Sequence, residues 1–518
     1  MINIEIHEIG MFADRAFDEN DVKTLYNISI TCLEWSELDK YNTLEKGILA
    51  YHGATACSNY IDLKYNGLLN YSIDGNEKDF ELCLLLFRRC IYCFNTCRES
   101  NFEILSEEER YYLKEYINRA KTNYSLVLRK IGRFIKGISV LQVGVNEGFA
   151  MAIGTYATTL LNYGSFDYDR GHTDYFTHIS YRHLKNIVEN KYDLEKGAIH
   201  YFGEIKQDIE KVYLKEYLNE EFEFEDFSLG EDVSEQVYRE WCLKEKLFLN
   251  TMNDVTCHSV AAHDILHLPN IVTSIEDGPR FHGLFNQIKQ EFVSARYMLY
   301  EAINKNEPHF SDKEVHLVNT LDYPIYGISI EKMKFSYRSL YSIFDRISFL
   351  IHEYFDLGID EREISYRSIW RKRQGRGKKS YETKIDLKEK MTNPKSYNLP
   401  LIGLYWLFKD IAKQKVEHHY INPDIEILAT IRQHLEHKYL KIHDSYLYTM
   451  IKGKDRYDPV AFSISFDEFR SAAMKLISYV REAILLISLA IHVEEQSKGT
   501  DVLVMPMYLD VYKDDWKY

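Results

Sequence analysis

Proline and long apolar runs are both scarce in this chain. Its 518 residues include 9 Pro, so few breakers interrupt segments such as 331–355 and 466–493, where apolar residues recur at steps of three and four. The longest apolar stretch, Ala483–Ile491, is far shorter than the roughly 20 residues of a membrane-spanning helix, and the N-terminus, MINIEIHEIG, lacks a secretory signal pattern. We therefore predict an all-α, cytoplasmic protein of two or three domains without membrane contact.

Cysteine and positive charge are also limited. The eight Cys residues show no disulfide framework. Cys90, Cys93 and Cys97 lie close together on a predicted helix but are interpreted as reduced thiols rather than as a metal site. The formal net charge of −15 argues against a protein that coats nucleic acid nonspecifically, because such binding depends on neutralising phosphates. No cofactor is predicted.

One basic segment stands out against this acidic background. Residues 371–390, RKRQGRGKKSYETKIDLKEK, carry nine basic and three acidic residues between predicted helices, which predicts a loop. The alternatives are a solubilising surface and a contact with an RNA backbone. The candidate RNA-binding residues are Arg371, Lys372, Arg373, Arg376, Lys378 and Lys379.

The first 200 residues show a weak internal period. Residues 120–134 align with 152–166 at an offset of 32, with Gly132 and Gly164 at predicted turns and a second helix beginning near Phe134 or Phe166. A small residue and an aromatic on one helix, followed by a Gly turn, is the pattern of a helical solenoid. It resembles degenerate tetratricopeptide (TPR) repeats.

A histidine-rich segment, CHSVAAHDILHLPN at residues 257–270, is a candidate metal site. His263 and His267 are four residues apart and could share a helical face, and His263 with Asp264 is similar to the HD pair of metal phosphohydrolases. The further ligands that such a site needs are not identifiable in the sequence. The alternative interpretation is a packed helix end or turn.

Residues 422–444, NPDIEILATIRQHLEHKYLKIHD, predict one amphipathic helix with Asn422 as its cap. It carries Arg432 and His437, which together contain the minimum equipment for cleaving RNA without a metal. A His can exchange the protons of the 2′-hydroxyl and of the leaving oxygen near neutral pH, and an Arg can stabilise the charged phosphorane. The alternative is an exposed helix in which Arg432 pairs with Glu436.

A similar spacing also occurs by chance elsewhere. Arg346 and His352 fit it, but their helix is apolar and His352 is expected to be buried. The sequence around each pair therefore has to distinguish the Arg432 and His437 pair from the Arg346 and His352 pair.

The Arg-x4-His pattern in IRQHLEHKYLKIHD, after the long predicted helix that ends in SLYSIFDRISFLIHEYF, resembles the HEPN superfamily (higher eukaryotes and prokaryotes nucleotide-binding domain). WCLKEKLFLNTMND and DILHLP resemble the branch in which a HEPN domain follows TPR-like repeats. The resemblance covers about residues 235–495 and the first 215 only loosely. It implies a metal-independent endoribonuclease, active as a helical homodimer with two motifs in one cleft.

Mapped onto this sequence, the resemblance implies that Arg432 and His437 are catalytic. Gln433 stands where the family more often has Asn, Asp or His, and is assigned a supporting role. Arg432 and His437 lie five helical steps apart, about 140° around the helix, which independently favours a dimer because one regular helix would not direct both to one phosphate. His443, eleven steps from Arg432 and about 20° away, is expected to share its face and assist.

The predicted organisation has five parts. These are TPR-like repeats at 1–215, an acidic linker at 216–238, a connecting helical segment at 239–320, a HEPN domain at 321–495 and a tail at 496–518. The linker could instead be an acidic partner-binding strip. The HEPN helices are expected near 325–357, 398–416, 424–443 and 466–494, the last with a capping box at Ser465 and Glu468.

Three functions follow as hypotheses. The first is an endoribonuclease that serves as a toxin or antiviral effector and is regulated by a protein partner or trigger through its repeats. The second is a noncatalytic TPR/HEPN adaptor. The third is a metal-dependent hydrolase that uses His263, Asp264 and His267.

Overall fold

The structure is a computed structural model. It describes residues 4–66, 73–100, 102–103, 105–190, 192, 194, 196–304, 308–373, 381–383, 387, 391, 397–412, 415–416, 419–420, 422, 424–451, 458, 460–498 and 505–517. Helices dominate this part of the chain, which confirms the predicted all-α class.

The α-helices are α1 (Ile4–Asp18), α2 (Val22–Trp35), α3 (Thr43–Tyr65), α4 (Ile73–Ser100), α5 (Glu107–Lys130), α6 (Phe134–Asn146), α7 (Ala150–Gly164), α8 (Arg170–Glu189), α9 (Lys196–Val212), α10 (Lys215–Asn219), α11 (Val233–Lys244), α12 (Arg280–Asn304), α13 (Ile328–Phe355), α14 (Leu399–Ile411), α15 (Ile425–His437), α16 (Ser445–Ile451) and α17 (Phe466–Ser497). The strands are β1 (Arg371–Arg373), β2 (Tyr381–Thr383), β3 (Lys415–Val416), β4 (His419–Tyr420), β5 (Tyr439–His443) and β6 (Ala461–Ser465).

Three small strand pairs accompany the described helices. β1 pairs with β2 and β3 with β4 in antiparallel fashion, whereas β5 and β6 run parallel, with Tyr439 opposite Ala461 and His443 opposite Ser465. On its other side, β5 receives an antiparallel bridge from Pro324 to His443. β5 is therefore held from both sides.

The N-terminal half consists of successive helical hairpins. α6 begins at Phe134, as predicted, whereas α8 begins at Arg170 rather than near Phe166, because the side chain of Asp169 caps it by accepting from the backbone N–H of His172 (3.2 Å). Gly164 is the last residue of α7 rather than a turn residue. Such hairpins are consistent with TPR-like repeats, and the repeat assignment itself stays a prediction.

The acidic segment 216–238 is not a uniform solvated chain. α10 covers its start, α11 its end, and the intervening residues place Phe222 and Phe224 against Tyr175, with ring centroids 5.0 and 4.8 Å apart. Aromatic contacts therefore attach this segment to α8.

Helix α17 lies in the centre of the core and packs against α12, α13 and α14. The predicted capping box is confirmed, because Ser465 and Glu468 each cap the other's backbone N–H. Within the described residues, α17 is the one helix long and apolar enough to cross a membrane, but 83% of its most apolar window is buried against the rest of the protein. It is therefore a core helix.

Buried charges join the N-terminal helices to the C-terminal ones. The guanidinium of Arg133, at the start of α6, donates to both carboxylate oxygens of Glu482 on α17 (2.7 and 2.8 Å) and to Asp410 on α14 (2.5 Å). Arg88 on α4 also pairs with Asp410, at 2.8 Å. One continuous apolar cluster surrounds these groups and extends from Ile6 to Ile491.

At Gly132, the backbone of the turn between α5 and α6 directly contacts the backbone of α14. Gly132 has a φ of +76°, and a Cβ there would overlap the carbonyl oxygen of Leu399 and stand 2.6 Å from the nitrogen of Gly403. The opposing position is also a glycine, and a Cβ on Gly403 would overlap the Gly132 backbone. Only two glycines permit this approach.

We expect Gly132→Ala to lower the free energy of unfolding by about 3 kcal/mol, through the strain of a left-handed alanine and the overlap with α14. The matched control is Gly148→Ala. Gly148 has nearly the same φ, +74°, but nothing lies within 4 Å of an added Cβ, so only the strain of roughly 1–2 kcal/mol applies. Urea unfolding of both variants measures the difference. Equal losses would show that the contact with α14 contributes nothing.

Candidate active site

The helix that carries the Arg-x4-His motif is shorter than predicted. α15 ends at His437, because Lys438 leaves the helical region with φ −140° and ψ −140°, and Tyr439–His443 form β5. The prediction of one helix to Asp444 is therefore wrong. Leu435, Tyr439 and Ile442 fit a helical spacing, but Leu440 and Ile442 also fit the alternation of a strand. Pairing with β6 decides between them.

The start of α15 also differs from the prediction. Asn422 is not the cap residue, although its side-chain oxygen accepts from the backbone N–H of Asp424 (3.2 Å). Its buried amide nitrogen donates to the carbonyl of Asp410 (3.0 Å) and to the hydroxyl of Tyr479 (3.3 Å). Asp424 occupies the cap position without a side-chain cap bond, and its carboxylate pairs with Lys475 (2.6 Å). Asn422 therefore ties the chain to α14 and α17 instead. Pro423 lies outside the described residues.

Helix α13 holds α15 from beneath. The hydroxyl of Tyr337 donates to the carbonyl of Leu428 at 2.8 Å, and the guanidinium of Arg338 donates to the carbonyl of Leu435. The apolar side of α15, including Leu428 and Leu435, is buried as predicted. The opposite face is left for solvent.

Arg432 lies on this exposed face and contacts an aromatic ring. Its guanidinium carbon is 4.3 Å from the ring centroid of Tyr341 on α13, a cation–π distance. Burial raises the pKa of Tyr341, and the positive charge of Arg432 opposes that rise. The alternative pairing of Arg432 with Glu436 is not formed, since the carboxylate of Glu436 lies 3.7 Å from Arg338. Tyr341 therefore orients the Arg432 side chain.

Gln433 and His437 are both exposed on α15. Neither side chain makes a hydrogen bond or an ion pair with any residue that the structure describes. His434 behaves differently, because its Nδ1 lies 2.8 Å from the carbonyl of Thr430 and its ring lies 5.2 Å from Phe462. His434 thus packs on the protein, while His437 is available to a ligand.

The expected position of His443 is wrong. It lies on β5, fully buried, with its ring stacked on Tyr448 and its Nε2 3.3 Å from the hydroxyl of Ser463. Burial lowers the pKa of His443, against the opposing effect of the Asp322 carboxylate. α15 ends before His443, so His443 does not share a helix face with Arg432. The geometric reason for giving His443 an assisting role in catalysis is therefore absent.

The basic segment is only partly described. Arg371, Lys372 and Arg373 form β1, with Arg371 opposite Thr383 and Arg373 opposite Tyr381, so the prediction of a loop is wrong for these three residues. β2, which begins eight positions after the end of β1, supplies backbone hydrogen bonds to β1 that a loop would lack. Arg376, Lys378 and Lys379 lie outside the described residues. RNA contact by this segment stays a prediction.

The histidine-rich segment is structural. Asp264 accepts two hydrogen bonds from the buried guanidinium of Arg296 (2.9 and 2.7 Å) and one from the backbone of Leu249 (2.7 Å). A short 3₁₀ turn, Ser259–Ala261, precedes His263, so the idea that His263 and His267 share a helical face is wrong. Asp264 serves Arg296 instead. The described residues contain no group of three or more His, Cys, Asp or Glu placed to hold a metal.

Two further sequence expectations concern single residues. His352 is buried on α13, as predicted, and Arg346 pairs with Glu291 at 3.5 Å.

Cys90 and Cys97 are buried free thiols on α4, and burial raises the pKa of Cys97 to about 11. These thiols do not offer a reactive nucleophile, since a thiol with a raised pKa stays neutral.

Sequence reasoning missed the residues of α13 that position the motif. Tyr337, Arg338 and Tyr341 recur at one-turn spacing, which marks a helix face in contact with another element. The spacing does not reveal that the other element is α15, about 90 residues later in the chain. Only the packing of the two helices brings Tyr341 beneath Arg432.

One comparison with known protein families matches the C-terminal part of the chain. Residues 272–494 match the model of the LA2681-like HEPN family. No curated protein and no solved structure matches the chain. The matched range contains α12 to α16, all but the last three residues of α17, and the whole Arg432 to His437 segment. The C-terminal part of this chain is therefore a HEPN domain, similar to those of the LA2681-like family.

Proposed function

We propose that this chain is a metal-independent endoribonuclease of the HEPN type, with Arg432 and His437 as its catalytic pair. The observation that carries the proposal is the exposure of both side chains on α15, inside the range that matches the HEPN family model. A permanent cation and an imidazole that can exchange protons thus lie where a phosphodiester can reach them.

In the proposed reaction, the imidazole of His437 takes the proton of a 2′-hydroxyl group while the 2′ oxygen bonds to the adjacent phosphorus. The guanidinium of Arg432 stabilises the negative charge that develops on the phosphoryl oxygens. The bond from phosphorus to the 5′ oxygen then breaks, and that oxygen receives a proton from a protonated His437. The products are a 2′,3′-cyclic phosphate and a 5′-hydroxyl end.

We propose further that the active species is a homodimer. Five residues of regular helix separate Arg432 from His437 by about 140° of rotation and roughly 7.5 Å of rise. A single α15 therefore does not direct both side chains to one phosphate, whereas two symmetric copies present two of each around one cleft. One His437 then acts as the base and the other as the acid. Gln433, exposed beside Arg432, is assigned a supporting hydrogen bond to the phosphate.

The proposed role is that of a toxin or antiviral effector whose N-terminal helices bind a protein regulator. The buried pairs of Arg133 with Glu482 and Asp410 provide a physical connection between the two regions, because they join α6 to α17 and α14. Any partner that moved α6 would have to break these ion pairs or move the HEPN helices with it.

The experiment is cleavage of a labelled, unstructured RNA by the purified chain in the presence of excess EDTA. We expect the rate to be the same as without EDTA, and the products to carry 2′,3′-cyclic phosphate and 5′-hydroxyl ends, because no step uses a metal. The mass of the chain in solution, measured in the same buffer, is expected to be that of a dimer.

Each other result has a definite meaning. Loss of cleavage in EDTA would favour a metal-dependent hydrolase over the proposed chemistry. A dimer that binds protein partners but cleaves no RNA with or without EDTA would favour the noncatalytic adaptor.

A further inference from the structure

A strained turn lies beside β5, the strand that follows the Arg-x4-His motif. Leu321 and Tyr323 have φ values of +65° and +51°, in the left-handed region that side chains of this size rarely adopt. Both side chains are exposed, by 69% and 57%, so their own burial does not offset the strain. Strain of this kind persists only where the surrounding structure holds it, and it concentrates at functional sites.

The strand that follows the motif holds this turn. Between the two strained residues, the carboxylate of Asp322 accepts from the ammonium of Lys441 on β5 at 2.6 Å, and both groups are buried. The backbone N–H of Ile325 donates to the carbonyl of Ile442 at 2.7 Å. A buried ion pair and a backbone bond therefore fix the turn to β5, which begins two residues after His437.

The turn and β5 present three tyrosines to solvent. Tyr323, Tyr326 and Tyr439 are 57%, 48% and 38% exposed, respectively. Tyr439 is the first residue of β5 and neighbours Tyr326; burial and the Tyr439 hydroxyl together raise the pKa of Tyr326. Tyr326 and Tyr439 thus lie near the end of α15 that carries His437, and Tyr323 lies further along, toward the other end of β5, where Pro324 bridges to His443.

Positive charge accompanies these rings. Arg432 and Lys438 carry positive charge and are exposed on either side of His437 at the end of α15, and the one carboxylate between Arg432 and Lys438, that of Glu436, lies 3.7 Å from Arg338. The chain as a whole has a formal charge of −15, so this is a local departure from its average. Aromatic faces next to unmatched cations are the features by which proteins bind single-stranded nucleic acid.

We propose that Tyr323, Tyr326 and Tyr439 form a stacking platform for the unpaired bases of single-stranded RNA, which leads from the end of α15 along β5. This inference rests on the proposed ribonuclease function and specifies its substrate. Unpaired bases stack on tyrosine rings, whereas the bases of duplex RNA are enclosed in its stack. Single-stranded RNA fits this surface better than a second copy of the chain, because RNA phosphates neutralise the exposed cations. A second copy would bring the same positive charges to the contact. Lys441 is a positioning residue, since it acts through Asp322.

The test measures binding of a fluorescently labelled, unstructured RNA of about ten nucleotides to the full chain, in the His437→Ala background so that cleavage does not interfere. We expect Tyr323→Ala and Tyr439→Ala each to weaken binding by about 5- to 100-fold, the usual contribution of a stacked base. Tyr→Phe at the same positions retains the ring and is expected to retain the affinity. The matched control is Tyr111→Ala on α5, a tyrosine of 66% exposure, which should leave the affinity unchanged.

Two further readouts separate stacking from other roles. Binding of a blunt RNA duplex should be unaffected by Tyr323→Ala and Tyr439→Ala, and the thermal unfolding of both variants should match that of the wild type, because the side chains are exposed. In the cleavage assay, with His437 present, the same substitutions should raise KM far more than they lower kcat.

Unchanged RNA affinity in both alanine variants would overturn the platform. So would a change from dimer to monomer with unchanged RNA affinity per chain, which would assign the tyrosines to contact between copies. Wild-type protein that binds RNA through the tyrosines but cleaves none would instead contradict the ribonuclease proposal alone. Wild-type protein that cleaves RNA with a KM indifferent to Tyr323 and Tyr439 would contradict the platform alone.

Discussion

His437→Ala is expected to slow RNA cleavage by about 10²–10⁴-fold, the range that a positioned general acid or base contributes. Arg432→Ala is expected to slow it by about 10²–10³-fold, because a charge-stabilising donor is lost from the transition state. Arg432 touches Tyr341 through a cation–π contact at the surface, which contributes roughly 0.5–1 kcal/mol to stability. Both variants should therefore remain folded, and single-turnover rates on labelled RNA, with circular dichroism beside them, measure the effect.

Matched controls come from residues of the same type outside the motif. Arg346 on α13 is an exposed arginine paired with Glu291 (3.5 Å), and His200 on α9 is an exposed histidine paired with Glu204 (3.3 Å). Arg346→Ala and His200→Ala should cleave at the wild-type rate. A folded His437→Ala variant as active as these two controls would exclude the proposed acid–base role.

Arg133→Ala is expected to lower the free energy of unfolding by about 3–5 kcal/mol, the cost of leaving buried charges without their partner. The guanidinium is buried between the carboxylates of Glu482 and Asp410, and both lose hydrogen bonds when it is removed. Urea unfolding of the full chain measures the change. The control is Arg119→Ala, which removes an exposed i,i+4 pair with Glu115 (3.3 Å) and should cost less than about 1 kcal/mol.

The same cluster predicts a dependence of stability on pH. Burial raises the pKa of Asp410, but the guanidinium groups of Arg88 and Arg133 outweigh it, so the pKa is lowered. A lowered folded-state pKa contributes stability that is fully present above the unfolded value, about 3.9, and is lost as the pH falls through the folded value. Wild-type unfolding free energy should therefore fall below about pH 4, and more steeply than in Arg133→Ala. Identical pH profiles would show that Arg133 does not stabilise the Asp410 carboxylate.

Much of the HEPN helix framework was predictable from local sequence. The limits of α13 and α17 agree with the prediction to within a few residues, because unbroken apolar periodicity and the Ser465 and Glu468 capping box are local signals. The secondary structure of residues 422–444 was predicted only in part. Their apolar pattern fits a helix and a strand equally well from Leu435 onward, so the local signal was ambiguous.

The sequence by itself determined that this protein is helical, that α15 is amphipathic, and that His437 lies on its polar side with Arg432 at the border, since each of these depends on neighbours within a few turns. Only the tertiary structure decided where α15 ends, because β5 forms by pairing with β6, 22 positions later in the chain, and by bridging to Pro324, 119 positions before His443. The same holds for Tyr341 beneath Arg432 and for Lys441 against Asp322. Contacts between residues about 90 to 120 positions apart leave no periodic trace in a single sequence, because the chain closes such loops only when the whole core forms.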